Sequence, residues 1–147
     1  MRFWDASAII PLLIDEATTP LMHAAFIDDT EMSVWWATSV ECASALARKR
    51  HTGGIPAPVM EAAHLRLAAF QHIWTEVQPA PSLRENAMRL LQSHDLRAAD
   101  ALQLSAALVA AEGAPHTLDF VCLDTRLSRA AQREGFRITS GNPASRT

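Results

Sequence analysis

Five short apolar runs, separated by longer stretches of helical period, constrain this chain more than any other feature. They are "RFWD" (2–5), "MSVWW" (32–36), "WTEV" (74–77), "DFVCLD" (119–124) and "FRITS" (136–140). Each has the length and apolar or β-branched content of a strand. Between them lie segments with helix start and stop signals. "TTPLMHAAFIDD" opens on threonine with Pro20 in its first turn, and "TSVECASALARKRHTGG" stops at Gly53–Gly54. A further helix is predicted from about Pro58 to His72. Ser82 with Glu85 resembles a capping box opening one to about His94, "LRAADALQLSAAL" leads another to about Glu112, and "TRLSRAAQRE" stops at Gly135. Strands that alternate with helices imply an α/β fold, with a mostly parallel sheet covered by helices on both faces.

The chain has 147 residues, enough for one domain with a real core, and residues 1–140 are expected to form it. The tail "GNPASRT" (141–147) is expected to fray. No apolar run reaches the ~18 residues of a membrane span, and no signal-peptide pattern stands at the N-terminus, so a soluble, cytoplasmic protein is expected. Cys42 and Cys122 are isolated, which suggests neither a zinc cluster nor a disulfide framework. Net charge is −3 with Lys49 as the only lysine, which speaks against a non-specific nucleic-acid coat but not against a local site. Glycine-rich phosphate loops are absent.

In an α/β unit the strand ends and helix starts share one edge of the sheet, where ligands bind. Asp5 ends the first strand run, Glu41 lies in the first turn after the second, Asp100 sits near the start of its helix, and Asp124 ends "DFVCLD". Each has a plainer explanation. Asp5 and Asp124 can simply cap the helices that follow. Thr38 with Glu41 forms a ready capping box. Asp100 is harder to dismiss, because alanines and leucines surround it and only Gln103 and Ser105 offer polar company. A carboxylate there is costly unless it pairs with Arg97, faces water from the first turn, or meets a cation.

Two carboxylates ~4 Å apart repel by about 1 kcal/mol in water and about 4 kcal/mol at an effective dielectric of 20. A cluster of four would destabilise the empty fold and raise its own pKa values, whereas a divalent cation reverses the sign. Oxygen donors without His or Cys favour Mg²⁺ or Mn²⁺ over zinc, and such an ion suits phosphate chemistry.

"FWDASAII", "TSVECASALAR", "LRAADALQLSAAL" and "CLDTRLSRAAQREGF" together resemble, in order and spacing, the motifs of PIN-domain ribonucleases, above all the VapC-type toxins of bacterial toxin–antitoxin pairs. The resemblance covers about Met1 to Thr139. It implies a three-layer α/β/α fold with a five-stranded sheet in the order 3-2-1-4-5, and Mg²⁺- or Mn²⁺-dependent endonuclease action on RNA. It makes Asp5, Glu41, Asp100 and Asp124 the catalytic, metal-holding quartet, with Ser7 a small polar group beside the metal. It also implies a homodimer and a cognate antitoxin, for which the apolar early helices "SAIIPLLI" and "PLMHAAFI" offer surface.

Relatives often carry glycine where this chain has Asp95, which reads as a loop residue, and His94 reads as a helix C-terminal group. Arg48, Lys49, Arg50, Arg97, Arg126 and Arg129 are candidates for phosphate contacts. Trp35 and Trp36, adjacent in a strand, should point to opposite faces, with one or both in the core. Two other α/β classes fit less well. A haloacid-dehalogenase-type enzyme would want aspartate where Ser7 stands, and a response receiver would want a lysine near its last strand. A catalytically silent PIN module that binds RNA or protein remains the alternative from a different class.

Overall fold

A computed structural model describes residues 1–140; the tail 141–147 lies outside the described residues. The chain runs β1 (Arg2–Trp4), α1 (Ala6–Leu13), α2 (Thr19–Asp28), β2 (Met32–Trp35), α3 (Thr38–Thr52), α4 (Ala57–Ile73), β3 (Thr75–Val77), α5 (Pro81–Ser93), α6 (Ala98–Ala110), β4 (Asp119–Val121), α7 (Thr125–Arg133) and β5 (Arg137–Thr139). All five strands pair in parallel, in the order β3-β2-β1-β4-β5. The α/β class and the strand order are as expected.

Because side chains alternate across a strand, neighbouring residues feed two separate cores. Trp4, Val34 and Val121 face α1–α4, where they pack with Ile9, Leu13, Met22 and Leu46. Phe3, Trp35 and Phe120 face α5–α7 and pack with Leu83, Leu90, Leu104 and Leu127. The central strands β1, β2 and β4 are buried on both faces and mostly apolar, which is why their runs read as continuous rather than alternating.

Several local expectations are corrected. The strands are shorter than their apolar runs; β4 stops at Val121, so Asp124 lies beyond it. Strand β2 stops at Trp35, and Trp36 enters a turn at 50% exposure with its ring edge-on to Trp35, 6.4 Å between centroids. The two rings are therefore neighbours rather than opposed across the sheet. The capping boxes do not form: α5 opens on Ala80 and α3 on Ala37, neither with a side-chain cap. Helix α2 likewise lacks a cap from Thr18, while the hydroxyl of Thr19 donates to Pro11 O at 2.6 Å. Helix α1 is core, with Ile9, Ile10, Leu12 and Leu13 all buried, so only α2 among the early helices exposes large apolar groups, at Leu21 and Ile27.

Gly135 closes α7 with φ +104, where a side chain would be strained and a Cβ would stand 3.1 Å from Pro115 Cγ. That tight return sets β5 beside β4. Among the described residues no helix is long and apolar enough to cross a membrane.

Candidate active site

The parallel sheet directs the ends of β1 and β4 and the starts of α3 and α6 to one edge. Asp5 follows β1 directly. Its backbone N–H donates to Val121 O at 3.0 Å, which ties it to the end of β4. Its side chain caps α1, with Oδ2 accepting from Ser7 N at 3.1 Å and from Ser7 Oγ at 2.5 Å. Ser7 Oγ also accepts from Leu123 N at 3.0 Å. One hydroxyl thus couples the Asp5 carboxylate to the segment leading to Asp124. Asp124 caps α7 through Leu127 N at 2.8 Å. The capping explanation holds for both aspartates, and both still line the same cleft. A cap consumes only part of a carboxylate's accepting capacity.

Glu41 and Thr38 are not a capping box because another group takes them. Gln103, fully buried on α6, donates through Nε2 to Glu41 Oε2 and to Thr38 Oγ1, the latter at 3.0 Å. Its own Oε1 is buried without a hydrogen-bond partner. An unpaired buried acceptor costs about 1–3 kcal/mol. Gln103 was legible only as polar company for Asp100, one helical turn away; its partner Glu41 lies 62 positions off. Asp100 itself makes no ion pair with Arg97 within 4.0 Å, although Arg97 and Arg126 both bear on it electrostatically.

These four acids line one cleft of about 490 Å³, with Ser7 and Arg48 in the same wall. Asp5 is buried, Glu41 and Asp100 are half-buried, and Asp124 is exposed. Burial raises the Asp5 carboxyl above its ordinary value, and Asp100 adds to this. Glu41 is pushed up to about 7, first by burial and then by Asp5 and Asp100, against the Gln103 hydrogen bond. Asp100 is raised by burial and by Asp124, and its arginine neighbours only partly offset this. Each of the three therefore feels another acid of the set. Among the described residues no three carboxylate, imidazole or thiol groups stand close enough to make a finished metal cage. The donor set is nonetheless oxygen-only and mutually repelling, which is the chemistry a hard divalent cation relieves.

Burial shifts both thiols away from the reactive thiolate form. Cys122 lies 3.7 Å from Asp5 Oδ2, and both it and Cys42 are pushed up to about 12 by burial first and neighbouring acids second. The candidate phosphate-binding groups divide. Lys49 is engaged by Glu16 at 2.6 Å, and Arg48 donates to Ser44 at 2.9 Å within the cleft wall. Arg97, Arg126 and Arg129 line a second, adjoining cleft. His94 ends α5 as expected, but its side chain meets Glu134 at 2.8 Å instead of the helix carbonyls.

The sequence matches no known family profile and no curated protein. Its fold does have solved counterparts. PAE2754 from Pyrobaculum aerophilum superposes with a TM-score of 0.66 at 19% identity, over 94% of this chain and 88% of that one. FitAcB from Neisseria gonorrhoeae superposes with a TM-score of 0.59 at 15% identity, over 96% of this chain and 98% of that one. The fold is PIN-like. At these identities the likeness concerns the backbone. The PIN-like frame accounts for the position of the acidic cleft at the carboxyl edge of the sheet, while the cleft's chemistry rests on its own residues.

Proposed function

We propose that this protein is a Mg²⁺- or Mn²⁺-dependent endoribonuclease, the toxin of a VapBC-type toxin–antitoxin pair that acts in the cytoplasm. One observation carries the reading: four acids from four separate segments line a single cleft at the ligand-binding edge of the sheet, and three have raised pKa values. Evolving such a cluster destabilises the empty fold, so it points to a cationic occupant. Asp5, Asp100 and Asp124 would hold the ion, which when bound stabilises developing charge on a scissile phosphate and activates water.

The chain's own groups supply the rest. Ser7 fixes the rotamer of Asp5. Gln103 fixes that of Glu41. Glu41, with its carboxyl near neutrality, is suited to orient a water and accept its proton, because a base works best when its pKa is close to the ambient pH. In-line attack on phosphorus would leave a 5′-phosphate and a 3′-hydroxyl. The exposed Leu21 and Ile27 of α2 offer apolar surface for a second copy or an antitoxin.

The test is Asp5→Asn, isosteric but unable to supply the charge. Incubated with structured RNAs and either metal, the native protein should cut and the variant should lose cleavage by at least ~100-fold, with its fold preserved by circular dichroism. Full activity in the variant would overturn the assignment, and a native protein that binds RNA without cutting it would indicate the silent module instead.

A further inference from the structure

Beside the acidic cleft lies a larger one of about 860 Å³, and the two share Ala99, Asp100 and Asp124 in their walls. Its lining sets four arginines against Asp95, Asp100 and Asp124. Arg97 stands at the start of α6, and Arg126, Arg129 and Arg133 form a row along α7 at spacings of three and four residues. Those spacings place the three on one helical face. Leu127 and Ala131, on the other face, are buried in the core, so the row is turned outward, and all four arginines are exposed. The row extends ~10 Å along the helix axis, room for two or three consecutive phosphates of one strand.

The arginines outnumber the acids of this lining and are only loosely paired with them. Arg129 and Arg133 make no ion pair among the described residues, and Arg126 has only Asp95 at 3.8 Å, with that carboxylate 92% exposed. In a chain of net charge −3, four arginines against Asp95, Asp100 and Asp124 give this one cleft a local excess of positive charge. The lining holds no phenylalanine or tryptophan, so the groove lacks a platform for stacking bases.

We propose that this groove is the track for the sugar–phosphate backbone of a single nucleic-acid strand, and that it delivers a phosphodiester to the acidic cleft at their shared wall of Asp100 and Asp124. The proposal rests on the nuclease reading for its purpose. Binding through the arginines can be measured without any turnover. Contact by phosphate alone makes the groove indifferent to base sequence and to the sugar. Asp95, at the rim, holds Arg126 back and opposes the incoming strand.

The experiment is fluorescence anisotropy with a labelled 12-nucleotide single-stranded RNA, in EDTA so that nothing is cut, across a series of salt concentrations. Removing two phosphate contacts in Arg129→Gln/Arg133→Gln should flatten the slope of log K against log salt by about 1.4 and weaken binding about tenfold at low salt. Single-stranded DNA of the same length should show the same change. Asp95→Asn should tighten binding two- to threefold, a gain that damage to the fold would not produce. Arg84→Gln, on α5 away from the groove, should leave the slope unaltered. Three results would overturn the proposal: unaltered affinity and slope in the double variant, no native binding near 50 mM salt, or displacement of the strand by an oligoglutamate peptide at lower concentration than by unlabelled RNA. The last would make the groove a protein-docking site. Should the arginines matter while Asp5→Asn still cuts, the groove stands and the metal-nuclease assignment falls.

Discussion

Glu41→Gln offers the sharpest test of the electrostatics. The Glu41 carboxyl is pushed from 4.5 to about 7 in the folded protein, chiefly by burial and then by Asp5 and Asp100. Below pH 4.5 it is protonated in both folded and unfolded chains and has no effect. Between 4.5 and 7 the unfolded chain gives up the proton while the folded chain keeps it, so unfolding becomes progressively easier as pH rises. Above 7 the full penalty applies. The shift corresponds to a ceiling of about 3 kcal/mol at 1.36 kcal/mol per pH unit, and screening by the water that reaches a half-buried group reduces this to about 1–2 kcal/mol. Glutamine keeps the volume and an oxygen to accept from Gln103, but it carries no charge. In metal-free buffer, Glu41→Gln should therefore match the native protein at pH 4.5 and exceed it by about 1–2 kcal/mol at pH 8.5. For a chain of this size that is roughly 2–8 °C in melting temperature. Urea melts at four pH values would measure it. A stability difference that stays constant across this range would refute the claim that an ionised Glu41 strains the empty site.

Other outcomes follow from the same contacts. Mg²⁺ at millimolar concentration should raise the melting temperature of the native protein, and raise it less in Asp100→Asn, as read by calorimetry; an equal rise would place the ion elsewhere. Ser7→Ala removes the hydroxyl between Asp5 and Leu123 N, so it should cost about 1–3 kcal/mol in chemical denaturation and move the acid limb of the activity profile upward as Asp5 becomes harder to ionise. Gln103→Leu removes an unpaired buried oxygen along with the hydrogen bonds to Glu41 and to buried Thr38, so a gain offsets part of the loss. Its stability should stay within about 1 kcal/mol of native, while the acid limb again moves to higher pH because Glu41 has lost the donor that lowers its pKa.

Much of this organisation was legible in the residues themselves. Alternating strand and helix patterns dictate a parallel sheet with two covered faces, and a parallel sheet gathers strand ends and helix starts at one edge. Asp5, Glu41, Asp100 and Asp124 could be placed there from position alone, because secondary structure is a short-range property of the chain. Asp100 stood out for the simplest reason, a charge in an apolar helix. The capping boxes at Ser82 and Thr38 do not form for two different reasons: α5 starts on Ala80, which puts Ser82 inside its first turn, and at Thr38 a local hydrogen-bond pattern competes with a tertiary partner. At Thr38 the partner was Gln103, which outbid the local bond from 65 positions away.

What the chain order determined by itself was the layering of the fold and the edge on which its acids sit; both follow from periodicity and from the handed geometry of strands and helices. Tertiary structure alone decided which acids are buried and which exposed, that Gln103 holds Glu41, that Trp36 leaves the core, and that Arg97 shares a groove with the arginine row of α7. Burial and the distances between charges depend on how segments remote in sequence pack, and no local pattern records them.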